Sequence, residues 1–290
     1  MILVFGGNGQ LGQELSRKAI EHGAALTALP RSEADITNAD QVKAAIQRHK
    51  PDVVVNAAAY TAVDQAEDEY DIALRANAHG PAILAAACRS ADIPLIHIST
   101  DYVFDGKKAG AYRETDAIAP IGAYGRSKVA GEIAVRVGMP KHLIIRTSWI
   151  YGEFGKNFLK TILRLARERD ELRIVADQHG NPTSTAALAS AILSIAPQLQ
   201  NENTRWGTYH FCGTGVTSWH GFAEWIVAVQ ARHTNRKPKV LPITTQEYPT
   251  RAARPENSAL DCTLIRHVFG TTAEAWTKDS ERVTDALLRA

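Results

Sequence analysis

The chain has 290 residues and a formal net charge of +2, and 45% of its residues are hydrophobic and 22% charged. These are the values of an ordinary globular protein, long enough for one large α/β domain or two closely joined domains. Acids and bases are interspersed, so the sequence shows no basic footprint for nucleic acid. No apolar run approaches the roughly 20 residues that span a bilayer, and no secretory signal is expected at the N-terminus.

Cysteine usage indicates the cellular compartment. Cys88, Cys212 and Cys262 are widely separated in the sequence and odd in number. Such usage is typical of the reducing cytoplasm, where disulfides are rare. The sequence therefore predicts a cytoplasmic protein with three isolated, buried thiols that have no redox or metal role.

A glycine-rich loop follows the first apolar run. Residues 2–5 predict a short strand, and Gly6, Gly9 and Gly12 then recur at intervals of three before an amphipathic helix. Glycines permit the tight turn and let a pyrophosphate approach the helix N-terminus, so strand, loop and helix together are typical of dinucleotide binding. These three glycines are therefore predicted to bind a dinucleotide cofactor.

The end of the second predicted strand, residues 25–29, indicates which cofactor is used. A cofactor without a 2′-phosphate usually meets an acid there, but this chain has Arg31. A guanidinium pairs with phosphate and accepts no hydrogen bond from a ribose, so NADPH is favoured and NADH stays open. The alternative is that Arg31 is a solvated loop cation. Asp35 follows, where its side chain could cap the adenine.

Two further apolar runs, residues 53–55 and 94–98, predict strands buried on both faces of a parallel sheet. Ligands of such sheets lie outside the carboxyl ends of the strands, so Asn56 and Thr100 are expected at one rim. An acidic run covers residues 64–71 without an accompanying histidine. It predicts a solvated helix start rather than a metal site.

Tyr124 and Lys128 lie four residues apart at the start of a predicted helix. That spacing places both side chains on one face of the helix. A nearby cation favours the phenolate, so the ammonium is expected to lower the pKa of the tyrosine towards neutrality. The pair then provides a group for general acid–base chemistry, whereas an alternative is a solvated helix surface.

The order of these motifs resembles the extended short-chain dehydrogenase/reductase superfamily and, within it, the dTDP-4-dehydrorhamnose reductase family. The stretches that carry the resemblance are spread over most of the chain: the glycine loop, residues 56–64 (NAAAYTAVD), 99–104 (STDYVF), Tyr124 to Lys128, 146–151 (RTSWIY), 157–158, 177–183 and 254–258. The resemblance implies a Rossmann-type, doubly wound parallel α/β sheet with a smaller, split α+β substrate domain. The dinucleotide domain would cover residues 1–150 with returning segments at about 183–213, and the substrate domain about 151–182 and 214–290.

The resemblance also implies an activity, the NAD(P)H-dependent reduction of the 4-keto group of dTDP-4-dehydro-L-rhamnose. In such an enzyme Tyr124 protonates the oxygen of the reacting carbonyl, Thr100 binds the same oxygen, and Lys128 binds the nicotinamide ribose. Contacts to the sugar fall to Asp101 and Trp149, and Arg251, Arg254 and Pro255 together suit a diphosphate clamp. The alternatives are a core aromatic at Trp149, a turn cap at Asp101 and a surface cation at Arg254. The remaining cofactor contacts fall to the glycine loop with Gln10 and Leu11, to Asp35 and Ile36, and to Ala59, Tyr60 and Thr61.

No metal site is predicted, because the histidines show no ligand spacing. The resemblance leaves a homodimer open, since some relatives bridge subunits with magnesium through acidic residues. Glu14 stands at one such position in this chain, but Ala186 occupies another and offers no ligand. The expected partner is a nucleotide sugar, and neither nucleic acid nor membrane is expected.

Other readings stay open within and outside this fold. A 4,6-dehydratase needs an Asp-Glu pair after the threonine, and Tyr102 stands where the glutamate would be. Another nucleotide-sugar reductase or a 4-epimerase shares the motifs. A non-catalytic NADP-binding regulator, similar to the β-subunit of methionine adenosyltransferase, is the alternative from another class.

Overall fold

The computed structural model describes residues 1–201 and 203–289. Its strands are β1 (Ile2–Phe5), β2 (Leu26–Leu29), β3 (Val53–Asn56), β4 (Leu95–Thr100), β5 (His142–Thr147), β6 (Ile150–Tyr151), β7 (Glu171–Val175), β8 (His179–Gly180), β9 (Thr183–Ser184), β10 (Gly207–His210), β11 (Thr217–Ser218) and β12 (Lys239–Ile243). Its α-helices are α1 (Gln10–Glu21), α2 (Ala39–His49), α3 (Tyr70–Leu74), α4 (Gly80–Ala91), α5 (Ala123–Gly138), α6 (Phe158–Glu168), α7 (Thr185–Ile195), α8 (Trp219–Gln230), α9 (Thr263–Phe269) and α10 (Trp276–Arg289). A π-helical turn at Arg75–His79 joins α3 to α4.

Six parallel strands form the central sheet, in the order β10-β5-β4-β3-β1-β2. The chain winds outwards from β1 to β2 and then returns to the other side of β1 to begin β3. The winding direction therefore reverses between β1 and β3, and ligands of such sheets bind outside the carboxyl ends near this reversal. The predicted Rossmann-type doubly wound sheet is confirmed.

The sheet is buried on both faces because successive side chains point to opposite sides. Ile2 and Val4 pack with α1 and α7 on one face. Leu3 and Phe5 pack with α2, α4 and α5 on the other. Within the described residues, no helix combines the length and the apolar character that crossing a membrane requires.

A separate hydrophobic cluster holds the smaller part of the molecule together. Buried side chains of α6, β7, α8 and α10 pack in it, and β7 pairs in parallel with β12. Ile265 and Phe269 of α9, which the sequence analysis placed in the substrate domain, pack instead in the cluster under the main sheet. The expected domain boundaries stay a prediction.

A buried ion pair fastens α5 to the sheet. Arg146 on β5 donates from Nε and Nη2 to the two carboxylate oxygens of Glu132 on α5, at 2.8 and 2.7 Å. The Ser99 hydroxyl on β4 donates to the same carboxylate at 2.6 Å. Burial acts to raise the pKa of Glu132, but the hydrogen bonds and charge of Arg146 hold it below its ordinary value. The first half of α5 is thereby fixed over the ends of β4 and β5.

His210 on β10 completes this network as a neutral side chain. Its Nε2 lies 3.4 Å from Arg146 Nη1, and its Nδ1 lies 3.1 Å from the Tyr112 carbonyl oxygen. Burial, together with the charge of Arg146, lowers the pKa of His210 to about 3. Protonation of this imidazole would place a second cation beside a buried guanidinium.

We predict an acid-sensitive contribution of His210 to stability. Its pKa is lower in the folded than in the unfolded state, so between about pH 4 and 5.5 only the unfolded chain binds this proton. The free energy of unfolding then falls by about 1.4 kcal/mol per pH unit on acidification from this residue alone. His210→Gln keeps a donor and an acceptor, and it should make the slope shallower by that amount in urea titrations at several pH values. The exposed His22→Gln should leave the slope unchanged, and an unchanged slope in His210→Gln would contradict a neutral buried imidazole.

Candidate active site

The glycine loop after β1 is built for close approach of a ligand. Gly6 has φ of +93°, and a Cβ atom on Gly12 would lie 2.3 Å from the Gly6 carbonyl oxygen. The Gly9 N–H donates to that same oxygen at 3.0 Å, and α1 begins at the next residue. The first N–H groups of α1 therefore face the end of the sheet, where a helix N-terminus attracts an anion.

The two residues after Gly9 have different surroundings. The Gln10 side-chain oxygen accepts a hydrogen bond from Asn157 Nδ2 at 3.1 Å, which ties the loop to the start of α6. Leu11 is buried in the core under the sheet. Its side chain therefore serves the fold, and a cofactor contact would fall to its backbone.

Arg31 is held by Asp35 at the end of β2. Arg31 Nε donates to Asp35 Oδ2 at 2.9 Å, and Thr37 donates to Oδ1 from its backbone N–H and its hydroxyl. Burial acts to raise the pKa of Asp35, but these bonds and the charge of Arg31 lower it. The Arg31 side chain is 85% exposed, so it is positioned by the acid and still reachable by a phosphate. Ile36 is buried and packs against Gly80 at the start of α4.

Asn77 fixes the loop after β3, and the sequence analysis did not identify it. Its Oδ1 accepts from the Tyr60 N–H at 2.8 Å, and its Nδ2 donates to the Tyr60 carbonyl at 3.0 Å. Nδ2 also donates to the Ser127 hydroxyl on α5 at 3.0 Å. The exposed Ala59 and Thr61 are thus held beside α5 through a single buried amide. The only sequence signal is an asparagine in an otherwise alanine-rich helix.

Tyr124 lies in the first turn of α5, on the rim of the sheet. Glu67 accepts a hydrogen bond from the Ala123 N–H at 2.7 Å and so caps the helix. The Tyr124 ring meets that of Tyr102 edge to face, with ring centroids 5.7 Å apart. Burial raises the pKa of Tyr124, and the neighbouring Thr100 hydroxyl acts in the opposite direction. The phenol therefore carries its proton at neutral pH.

Lys128 lies one turn further along α5 and is turned towards β4. Its ammonium donates to the Ile98 carbonyl at 2.7 Å. Burial lowers the pKa of Lys128 to about 8, with the charge of Glu132 acting against this. The expectation that Lys128 lowers the pKa of Tyr124 is wrong for this structure, because burial of the phenol has the larger effect and the ammonium is engaged elsewhere.

Thr100 and Asp101 continue the rim after β4. The Thr100 hydroxyl donates to Asp101 Oδ1 at 2.9 Å and accepts from the Tyr102 N–H at 3.2 Å. Asp101 is only 2% exposed, and burial raises its pKa to about 6, with the Ser258 and Thr100 hydroxyls acting to lower it. Its Oδ2 has no hydrogen-bond partner among the described residues. Thr100 and Tyr124 lie next to each other at this edge of the sheet, where the sequence analysis expected both.

A cavity of about 500 Å³ lies on the far side of Tyr102, which forms its wall together with Arg254; Thr100 and Tyr124 are not among the described residues that line it. Arg254 Nη2 donates to Asp64 Oδ2 at 2.7 Å, and its guanidinium lies 5.9 Å from the Tyr102 ring centroid. Arg254 Nη1 is buried without a hydrogen-bond partner in the described part of the chain. A buried donor left in this way is suited to an anionic ligand.

Trp149 has an unusual backbone, with φ of +47°. Its ring stacks on Trp219, with centroids 3.6 Å apart and planes 7° from parallel. Gly180 leaves room for it, since a Cβ there would lie 2.6 Å from the Trp149 ring. Trp219 lies in the cavity wall, whereas Trp149 is absent from the described residues that form it. The expected sugar contact of Trp149 stays a prediction.

The acidic run after β3 has a structural role that the sequence analysis missed. Asp64 pairs with Arg254 and accepts a hydrogen bond from the Ala252 N–H, and Asp68 pairs with Arg251. Glu67 caps α5 as described above. The run does lie at helix starts and stays partly exposed, as expected, but a segment near the C-terminus also folds back and pairs with it.

Glu14 is also engaged within the chain. It is 1% exposed and pairs with Arg17. Among the described residues, no group of three His, Cys, Asp or Glu side chains is arranged to hold a metal ion.

Comparison with known proteins agrees with this geometry. A family model described as the RmlD substrate binding domain matches residues 1–289. A dTDP-4-dehydrorhamnose reductase of Aggregatibacter actinomycetemcomitans is 46% identical over 279 residues, 95% of each chain. The crystal structure of such a reductase from Clostridium acetobutylicum is 39% identical, with a TM-score of 0.91 and coverage of 99% of each chain. A Bacillus anthracis dTDP-4-dehydrorhamnose reductase, solved in complex with NADP, is 38% identical, with a TM-score of 0.91 and coverage of 98% of each chain.

The exposed guanidinium of Arg31 leads to a prediction about cofactor choice. Arg31→Ala should raise the dissociation constant for NADPH by about tenfold, the loss of one charge-assisted phosphate contact, and leave that for NADH nearly unchanged. Fluorescence titration with both cofactors measures this. Arg48→Ala, a cation on α2 outside the site, is the control. Weakening of neither cofactor would make Arg31 a solvated loop cation, and equal weakening of both would exclude a contact to the 2′-phosphate.

Proposed function

Because this chain belongs to the dTDP-4-dehydrorhamnose reductase family, we propose that it reduces the 4-keto group of dTDP-4-dehydro-L-rhamnose to give dTDP-L-rhamnose, with NADPH as the favoured cofactor. Such a product serves nucleotide-sugar metabolism and cell-surface polysaccharide synthesis, in the cytoplasm. The observation that carries the proposal is a buried, protonated Tyr124 beside Thr100, on the rim that also carries the glycine loop and Lys128.

The residues at the rim fit a dinucleotide cofactor. A side chain at Gly12 would collide with the loop, and the first turn of α1 offers N–H groups to a pyrophosphate. We assign the 2′-phosphate to Arg31, the adenine side to Asp35 and Ile36, and the ribose of the nicotinamide to Lys128. When bound, the reduced nicotinamide supplies the hydride.

Tyr124 supplies the proton in this assignment. The buried phenol holds its proton at neutral pH and can give it to the oxygen of the reacting carbonyl, although its raised pKa makes it a weaker acid than an exposed tyrosine. The Thr100 hydroxyl gives its one proton to Asp101 and accepts from the Tyr102 N–H, so it must turn away from Asp101 to bind the same oxygen. Lys128 retains donors beyond its bond to the Ile98 carbonyl, since an ammonium has three. The developing charge is therefore met by fixed donors in a dry site.

The cavity beside the rim accommodates the nucleotide sugar in this proposal. Its wall includes Asp64 and Tyr102 from the part before residue 150, and Phe158, Leu172 and Arg254 from the later part. We assign the diphosphate to Arg254 and the sugar to Asp101 and Trp149. The proposed division is a dinucleotide domain of residues 1–150 with 183–213, and a substrate domain of the remainder, with this cavity between them.

Tyr124→Phe should lower kcat by about 10²–10⁴-fold, because the ring is kept and only the proton donor is lost. NADPH affinity should survive this change. Lys128→Met should impair turnover and also weaken NADPH binding, since it removes the ribose contact. Single-turnover rates and NADPH titrations for both variants measure the two effects separately.

Tyr209→Phe on β10 is the matched control, because it removes a phenol oxygen that donates to the Arg205 carbonyl within the chain. Its turnover should stay near that of the unchanged protein. If Tyr124→Phe kept native single-turnover rates, the chain would be better described as an NADP-binding regulator.

Arg254→Ala should raise KM for the nucleotide sugar by about tenfold or more and change kcat little. A diphosphate contact far from the reacting carbon acts equally on ground and transition states. Arg164→Ala on α6 is the matched control: its side chain is 61% exposed and pairs with the exposed Glu168, and such surface pairs contribute little. A collapse of kcat at unchanged KM would disprove the diphosphate assignment.

A further inference from the structure

Two of the three cysteines meet at the joint between β10 and α9. The Sγ atoms of Cys212 and Cys262 lie 3.3 Å apart, although the residues are 50 positions apart in the chain. Both sulfurs face the Leu260 carbonyl oxygen, at 3.7 and 3.9 Å. All three cysteines are free thiols in this structure. The expectation of three isolated thiols is therefore wrong for this pair.

The two thiols differ in access. Cys212 is 4% exposed, directly after β10, whereas Cys262 is partly exposed immediately before α9. The hydrogen bond between the two thiols, together with burial, raises the pKa of Cys212. A small oxidant in solution therefore meets Cys262 first, with Cys212 in place behind it. Cys88 lies apart from both, buried under the other face of the sheet.

We propose that Cys212 and Cys262 form an oxidation site that closes to a reversible disulfide when a peroxide reaches Cys262. The Cys262 thiolate, after losing its proton to water, attacks one peroxide oxygen. The O–O bond breaks, an S–O bond forms, and the second oxygen leaves as hydroxide and takes up a proton to become water.

The Cys212 sulfur then attacks the Cys262 sulfur. The S–S bond forms, the S–O bond breaks, and the Cys212 proton goes to the departing hydroxide, giving a second water. The two thiols have together lost two electrons and two protons, and the peroxide has been reduced to two waters. A thiol reductant reverses the step by thiol–disulfide exchange.

The disulfide would act on the segment of residues 258–262 and on the end of β10, which lie next to Asp101. Asp101 is near enough for its charge to contribute to the raised pKa of Cys212, and Ser258 in turn acts on Asp101. Ser258 and Cys262 belong to one segment, and a disulfide is about 2 Å long, so its closure draws the two sulfurs together by about 1 Å and ties that segment to the end of β10. The glycine loop follows β1, which three other strands separate from β10 in the sheet. Oxidation should therefore affect the nucleotide-sugar side and spare the dinucleotide side.

The covalent test uses the full chain and hydrogen peroxide. Treated protein is unfolded, alkylated with N-ethylmaleimide and mapped by mass spectrometry. The unchanged protein should lose about 2 Da and take up the label at Cys88 alone, and dithiothreitol should restore labelling of the other two. Cys88→Ser should still form the bridge, whereas Cys262→Ser should not. Persistent labelling of Cys212, or conversion of Cys262 to a sulfinic acid without a bridge, would overturn the proposal.

The functional test compares oxidised and reduced protein. Oxidation should raise KM for the nucleotide sugar at least about fivefold, in the range of typical coupling between sites, and leave the NADPH dissociation constant unchanged. Cys88→Ser should respond in the same way, and Cys262→Ser should not respond. If the disulfide were mapped but KM stayed unchanged, the proposed effect of the disulfide on the nucleotide-sugar site would be wrong. Absence of turnover in the reduced protein would count against the proposed function alone, since the mass measurement needs no activity.

Discussion

The buried pairing of Glu132 with Arg146 is the interaction on which the rest of the site depends. A carboxylate without water must find donors, and it finds them on β4 and β5, the strands whose ends form the rim. The pairing therefore ties α5 to both strands at this point. Tyr124 and Lys128 lie on that helix before Glu132, so their placement over Thr100 and Ile98 follows from it.

Burial decides the protonation states that the chemistry needs. The same dry surroundings raise the pKa of the Tyr124 phenol and lower that of the Lys128 ammonium, because each loses the water that favours its charged form. A protonated phenol suits delivery of a proton, which is the direction of a reduction. Because the pKa of Lys128 is about 8, the protonation state of its ammonium responds strongly to the charge of a bound ligand. In the proposed reduction, desolvation keeps the Tyr124 phenol protonated but also makes it a weaker acid.

The wall of the site is assembled from distant parts of the chain. The segment of residues 251–262 folds back on the acidic run after β3, where Arg254 pairs with Asp64, and then passes behind Asp101 to meet β10 through Cys262. One segment therefore carries both the proposed anion contact and the proposed oxidation site. Charge pairing holds its first half, and packing against β10 holds its second.

The sequence by itself determined the parallel sheet, the glycine loop and the rim with Thr100, Tyr124 and Lys128. Apolar runs, glycine spacing and helical spacing are local patterns, and strand ends of a parallel sheet share one edge whatever else the chain does. Only the tertiary structure decided the pairing of Asp64 with Arg254, the role of Asn77, the placement of α9 against the main core and the meeting of Cys212 with Cys262. The tertiary structure also raises the pKa of Tyr124, whereas the spacing of Tyr124 and Lys128 had predicted a lowered pKa. Contacts between residues far apart in the chain, and the desolvation they cause, leave no periodic signal in the sequence.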